Sequence, residues 1–99
     1  CALPILKETL ILVPSYNEKL NLPALLEKLR FTADFADYLV IDDHSDDETL
    51  EFLKNENCNF LSLSQNLGIG GAVQTGLKYA WRKNYKFVIQ IDVGNSTFD

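Results

Sequence analysis

The residue types with chemical capacity in this 99-residue chain fall into four short clusters. Pro14-Ser15-Tyr16-Asn17-Glu18 and Asp42-Asp43-His44-Ser45 combine carboxylates with small polar groups. Gln65-Asn66-Leu67-Gly68-Ile69-Gly70-Gly71 is a glycine-rich loop, and Asp92 is an acid directly after an apolar run. An ionised carboxylate is acceptor-only, so these residues suit the hydrogen-bond donors of a ligand or a hard cation. Each cluster follows a β-rich run, and open parallel sheets bind ligands beyond the carboxyl ends of their strands.

Three nucleotide-handling patterns fail on placement. A dinucleotide fingerprint would put G-x-G-x-x-G after the first strand; that turn holds no glycine, and Gly68-x-Gly70 continues to Val73 where the third glycine belongs. Gly71 to Gly76 has the Walker A spacing, but Leu77 occupies the lysine position and the segment reads as helix. A phosphorelay receiver would need its acidic pair after strand one and an acceptor after strand three, where Gln65 and Asn66 stand.

The elements that must position these clusters are read from periodicity. Four β-rich runs are Thr9–Val13 (stopped by Pro14), Tyr38–Ile41, Phe60–Leu63 and Phe87–Ile91. Runs one, two and four are nearly continuously apolar, which predicts parallel strands covered on both faces. Asn21-Leu22-Pro23 signals a helix start with Asn21 as N-cap, followed by Leu22, Leu25, Leu26 and Leu29 at helical spacing. Ser45-Asp46-Asp47-Glu48 fits a capping box with Ser45 as N-cap, ahead of Leu50 and Leu53. A third helix is expected from about Ile69 to Lys83, with Ala72, Val73, Leu77, Ala80 and Trp81 on one face. The alternation β-α-β-α-β-α-β predicts an α/β, Rossmann-like layered parallel sheet with right-handed crossovers.

Composition narrows the class. Nine Lys and Arg against fourteen Asp and Glu give a net charge of −5, which argues against nonspecific nucleic-acid binding. The length allows one unit, residues 1–99, with a modest core. No apolar run approaches the roughly 20 residues of a membrane span, and no leader is evident. Cys1 and Cys58 form neither a disulfide framework nor a zinc spacing, so a cytoplasmic location is the default expectation.

Taken together, the four clusters resemble the N-terminal, nucleotide-sugar-binding half of family 2 glycosyltransferases, which have the GT-A fold. The matching stretches are Val13-Pro14-Ser15-Tyr16-Asn17-Glu18, Val40–Asp47, Asn66–Ala72 with Gly76-Leu77, and Gln90-Ile91-Asp92. They occur in the expected order over about residues 9 to 92. The glycine loop and the Gln-Ile-Asp ending look most like the polyprenyl-phosphate branch, such as dolichol-phosphate mannose synthase.

The resemblance implies transfer of a sugar from a UDP- or GDP-sugar to an acceptor such as a polyprenyl phosphate or a glycan. It implies that Pro14, Tyr16 and Glu18 line the nucleotide site, with Asp43, Ile41 and Asp42 at the base or ribose. Gly68 and Gly70 would let backbone pass close to the donor. Asp92 would be the first acid of an Asp-Xaa-Asp motif holding Mg²⁺ or Mn²⁺ against the diphosphate. The second acid of that motif is replaced by Gly94, and Asn95-Ser96-Thr97 departs from the usual continuation. The second half of a GT-A domain, with acceptor site and catalytic base, has no counterpart. The catalytic residue is therefore unassigned, and the chain by itself is expected to be inactive. A parent protein would act at the cytoplasmic face of a membrane. The alternative from another class is a non-catalytic nucleotide-binding module or pseudoenzyme. A truncated sheet with an open edge also favours self-association.

Other residues carry plainer readings. Asp46, Asp47 and Glu48 suit a helix N-terminus by their charge. His44 suits a backbone angle that most residues avoid. Gly70 and Gly71 would serve tight helix–sheet packing. Tyr79, Trp81 and Tyr85 read as packing residues, and Cys58 as a packing thiol.

Overall fold

The computed structural model describes residues 7–56 and 58–93. Cys1, Gly94 and Asn95-Ser96-Thr97 lie outside them. The elements are β1 (Thr9–Ser15), α1 (Leu22–Arg30), β2 (Asp37–Asp42), α2 (Thr49–Asn55), β3 (Phe60–Ser62), α3 (Gly68–Arg82) and β4 (Phe87–Gln90). The four strands form one parallel sheet in the order β3-β2-β1-β4. The chain therefore builds outward in one direction to β3 and then crosses back beyond β1. Diverging connections of this kind open a crevice at the strand ends where the order reverses, here between β1 and β4.

The sheet is the middle of three layers. Residues of a strand alternate between faces, so Ile11, Val13 and Val40 pack with Leu22, Leu26 and Leu29 of α1 and Leu53 of α2. Leu10, Leu12, Leu39 and Ile41 pack on the opposite face against Ala72 and Ala80 of α3. β1 lies between two partners and is buried over Leu10–Val13. β4 is an edge strand, and Phe87 and Ile89 remain exposed on it, so the expected cover on both faces fails there.

Two further expectations are corrected. Leu77 and Trp81 do not join the buried face of α3; they are 46% and 81% exposed. The face against the sheet is the small-residue stripe Ala72, Gly76 and Ala80. A Cβ at Gly76 would lie 2.7 Å from Leu12 Cδ2, so glycine permits the close approach and fixes the helix rotation. Ser45 is not the N-cap of α2, which begins at Thr49 after Glu48 and has no side-chain cap bond. Ser45 is drawn instead to Asp42, as described below. Asn21 does occupy the N-cap position of α1, but its amide donates to Glu18 rather than capping the helix.

Candidate functional site

The carboxyl ends of β1, β2 and β4 surround a cleft of about 190 Å³. Pro14 and Ser15 end β1 and Tyr16 and Glu18 follow it, Asp43 comes directly after β2, Ile69 and Ala72 from α3, and Asp92 and Val93 from beyond β4. Five of the residues proposed from sequence, Pro14, Tyr16, Glu18, Asp43 and Asp92, thus line one concavity. They come from three separate stretches of chain.

Asp43 is the residue on which the cleft is built. It is only 4% exposed, and its two carboxylate oxygens accept from the backbone N–H of Leu67 at 2.7 Å and of Gly68 at 2.9 Å. The first N–H groups of a helix have no partner within it, and their partial positive charge favours an anion. Asp43 therefore caps α3 from the loop directly after β2, in place of a local side-chain cap. Asn66 adds a bond from Nδ2 to the Asp43 carbonyl at 3.2 Å. Gly68 enters the helix at φ +81°, in the left-handed region where glycine is tolerated best. A carboxylate offers about four lone-pair sites, so these bonds leave acceptor capacity on Asp43 at the cleft wall.

Asp42 does a different job from its neighbour. It is buried, and its Oδ1 accepts from the Ser45 hydroxyl at 2.5 Å. The Ser45 hydroxyl in turn accepts from the Asn17 N–H at 2.9 Å. Asn17, at φ 54°, accepts through Oδ1 from the N–H groups of Asp46 and Asp47. A Lys19–Glu48 ion pair spans the same two loops. The loop after β1 is thereby tied to the loop after β2, which sets the position of Tyr16 and Glu18. His44 takes φ 61°, the unusual backbone angle expected of it.

Ile41, Asp42, Gly68 and Gly70 stand outside the cleft lining. Ile41 is fully buried on the α3 face of the sheet. Gly68 acts through its N–H on Asp43, and Gly70 is exposed with open space where a Cβ would lie. Asp92 is exposed and accepts from Gln90 Nε2 at 3.2 Å. Among the described residues, no group of three or more His, Cys, Asp or Glu side chains is arranged to hold a metal ion. Burial pushes the Cys58 thiol up from its ordinary range, and its Sγ lies 3.6 Å from the Leu53 carbonyl, in keeping with a packing thiol.

Ser15 lines the cleft although the sequence assigned it no role of its own. It is 3% exposed, and its hydroxyl has no hydrogen-bond partner among the described residues. A buried hydroxyl without a partner is costly, and this one borders the cleft. The sequence signal was its place in the Pro14–Glu18 stretch, one residue before a cleft-lining tyrosine.

The chain is similar to known proteins in sequence and in fold. The family model described as Glycosyl transferase family 2 matches residues 10–92. The chain is 26% identical over 96 residues to a polyprenol monophosphomannose synthase of Mycolicibacterium smegmatis, covering 91% of this chain and 36% of that protein. It is 29% identical over 92 residues to an undecaprenyl-phosphate mannosyltransferase of Micrococcus luteus, covering 88% and 38%. It is 31% identical over 103 residues to a dolichyl-phosphate beta-glucosyltransferase of Dictyostelium discoideum, covering 88% and 31%. The structure of S. aureus TarS residues 1–349 superposes with a TM-score of 0.72 at 28% identity, over 87% of this chain and 27% of that one. The chain thus spans about a third of the length of the curated relatives it matches. Four parallel strands in this order, a cleft at their carboxyl ends and a family match over residues 10–92 lead to one conclusion: the chain belongs to glycosyl transferase family 2, with a GT-A, Rossmann-like fold.

Proposed function

We propose that this chain forms the donor-nucleotide site of an enzyme that moves a sugar from a UDP- or GDP-sugar to a polyprenyl phosphate. The observation that carries the reading is the convergence of Pro14, Tyr16, Glu18, Asp43 and Asp92 on one cleft beside the capped N-terminus of α3. Tyr16 supplies an aromatic surface for a base, and the carboxylates of Asp43 and Glu18 accept from base or ribose donors. The lipid phosphates named in the relatives motivate the choice of acceptor.

In this reading Asp92 is the carboxylate that would hold Mg²⁺ or Mn²⁺. Its donor chemistry suits a hard ion that takes its remaining ligands from a diphosphate and water, rather than one caged by protein. Such an ion would neutralise charge on the leaving diphosphate. The test is titration of the chain with UDP and with GDP, with and without Mn²⁺, followed through the backbone amides. The expected shifts centre on residues 14–18, 43 and 66–72, and Asp92→Asn is expected to abolish the Mn²⁺ dependence. Shifts confined to other surfaces would remove the assignment.

A further inference from the structure

The chain is acidic overall, yet its charge is strongly segregated. No Asp or Glu occurs between residues 57 and 91, a stretch that carries Lys78, Arg82, Lys83 and Lys86, four of the nine basic residues. Three of these cations belong to the outer surface of α3 and its exit. On α3, Gln74, Leu77, Lys78, Trp81 and Arg82 fall at i, i+3, i+4, i+7 and i+8, so they share one face. All five are exposed, on the side opposite the buried Ala72, Gly76 and Ala80. Trp81 and Leu77 form the apolar flank of this stripe, and Lys78 and Arg82 the basic one. Lys78, Arg82 and Lys83 line a groove of about 600 Å³ with Thr75, Tyr79 and Leu61. None of the three cations pairs with an acid among the described residues.

We propose that the outer face of α3 docks the protein flat against an anionic phospholipid bilayer. The combination is specific in its chemistry. Tryptophan favours the membrane–water boundary, where its ring is apolar and its N–H is wet. Lysine and arginine lay their stems along apolar surface and reach phosphates with their heads. An amphipathic helix that lies in the interfacial plane shows this arrangement of apolar and basic flanks. Among the described residues no helix is long and apolar enough to cross a bilayer. Glu27 of α1 and Glu51 of α2 belong to helices on the other face of the sheet, and on the α3 side Asp37 is engaged by the Tyr85 hydroxyl. Repulsion from charges more than about 10 Å away is largely screened at physiological salt. This inference is independent of the nucleotide reading.

Trp81 is the chain's one tryptophan and so reports directly from the proposed contact. The experiment mixes the 99-residue chain with vesicles of phosphatidylcholine alone or of phosphatidylcholine with phosphatidylglycerol. Tryptophan emission and co-sedimentation are recorded. The expected result is a blue shift and co-sedimentation with the anionic vesicles, reversed by high salt and at least tenfold weaker with neutral ones. The double substitution Lys78→Gln with Arg82→Gln, at exposed positions that do not disturb the core, is expected to weaken binding about thirtyfold. That corresponds to about 1 kcal/mol for each cation at an anionic surface. Three results would overturn the proposal: no shift with anionic vesicles, equal binding to neutral vesicles, or a concentration-dependent blue shift without lipid. The last would mean that a second copy covers the stripe.

Discussion

Replacing Asp43 with asparagine tests whether one buried carboxylate holds the cleft together. In the native chain its two oxygens accept from Leu67 N–H at 2.7 Å and Gly68 N–H at 2.9 Å, and the group is 4% exposed. Asparagine keeps one acceptor and turns an amide N–H₂ toward the other backbone donor. One bond is lost and a buried N–H is left facing another donor. Hydrogen bonds to charged groups are worth about 1.5–3 kcal/mol, and the surviving one also loses its charge assistance. Asp43→Asn is therefore expected to cost about 2–3 kcal/mol, out of a total on the order of 5–10 kcal/mol for a chain of this size. Asp42→Asn is the comparison: asparagine there still accepts from the Ser45 hydroxyl through its carbonyl oxygen, and the bond it gives up, from the Ser45 N–H to Oδ2, is long at 3.4 Å. Its cost is expected to be smaller, about 1–2 kcal/mol, because only a long bond and the charge assistance of the Ser45 bond are lost. Urea denaturation with unchanged slope measures both. Amide hydrogen exchange at Leu67 and Gly68 supplies a local readout, and protection there should collapse only in Asp43→Asn. If the two substitutions cost the same, or if Asp43→Asn costs less than about 0.5 kcal/mol, the capping argument fails.

Ser15→Ala removes a buried hydroxyl with no partner, so the unliganded chain is expected to gain up to about 1 kcal/mol by urea denaturation. The same substitution should weaken UDP or GDP binding up to about tenfold in calorimetry, about 1.4 kcal/mol; lost stability with unchanged affinity would make the hydroxyl structural. Gly76→Ala places a methyl 2.7 Å from Leu12 Cδ2 and is expected to cost about 1–3 kcal/mol through overpacking, outweighing its helix propensity; thermal unfolding measures the loss. Tyr85 donates to Asp37 Oδ2 at 2.5 Å, and burial together with that carboxylate pushes its hydroxyl well above the ordinary tyrosine range. Its contribution is thus fully present below the unfolded value of about 10 and lost as pH rises beyond it. Tyr85→Phe should cost about 1 kcal/mol at neutral pH and flatten that alkaline loss, as urea midpoints across the alkaline range would show.

The order of elements was legible because continuous apolar runs and helical spacing are local signals. Thr9–Val13 and Tyr38–Ile41 became the centres of β1 and β2, and the glycine loop became the start of α3. The rotation of α3 was not legible. Leu77 and Trp81 are more hydrophobic than Gly76, and pattern reading favours them for the core. The sheet instead takes the face that lets the helix approach most closely. The start of α2 was also misread. Ser45 and Glu48 have the types of a capping box, but Asp42 and Asn17 compete for the Ser45 hydroxyl and win it.

The sequence by itself determined the α/β alternation, the parallel pairing and the gathering of Pro14, Tyr16, Glu18, Asp43 and Asp92 at one edge. In a parallel sheet every strand ends on the same side, so residues that follow the strands must converge there. Only the tertiary structure separated the tasks of the two adjacent aspartates. Successive side chains on a strand point to opposite faces, so Asp42 meets Ser45 while Asp43 meets the N-terminus of α3, more than twenty residues away in the chain. It alone showed the orphaned Ser15 hydroxyl and the outward stripe of Leu77, Lys78, Trp81 and Arg82. Each depends on which neighbours arrive in space, and no spacing within the chain encodes that.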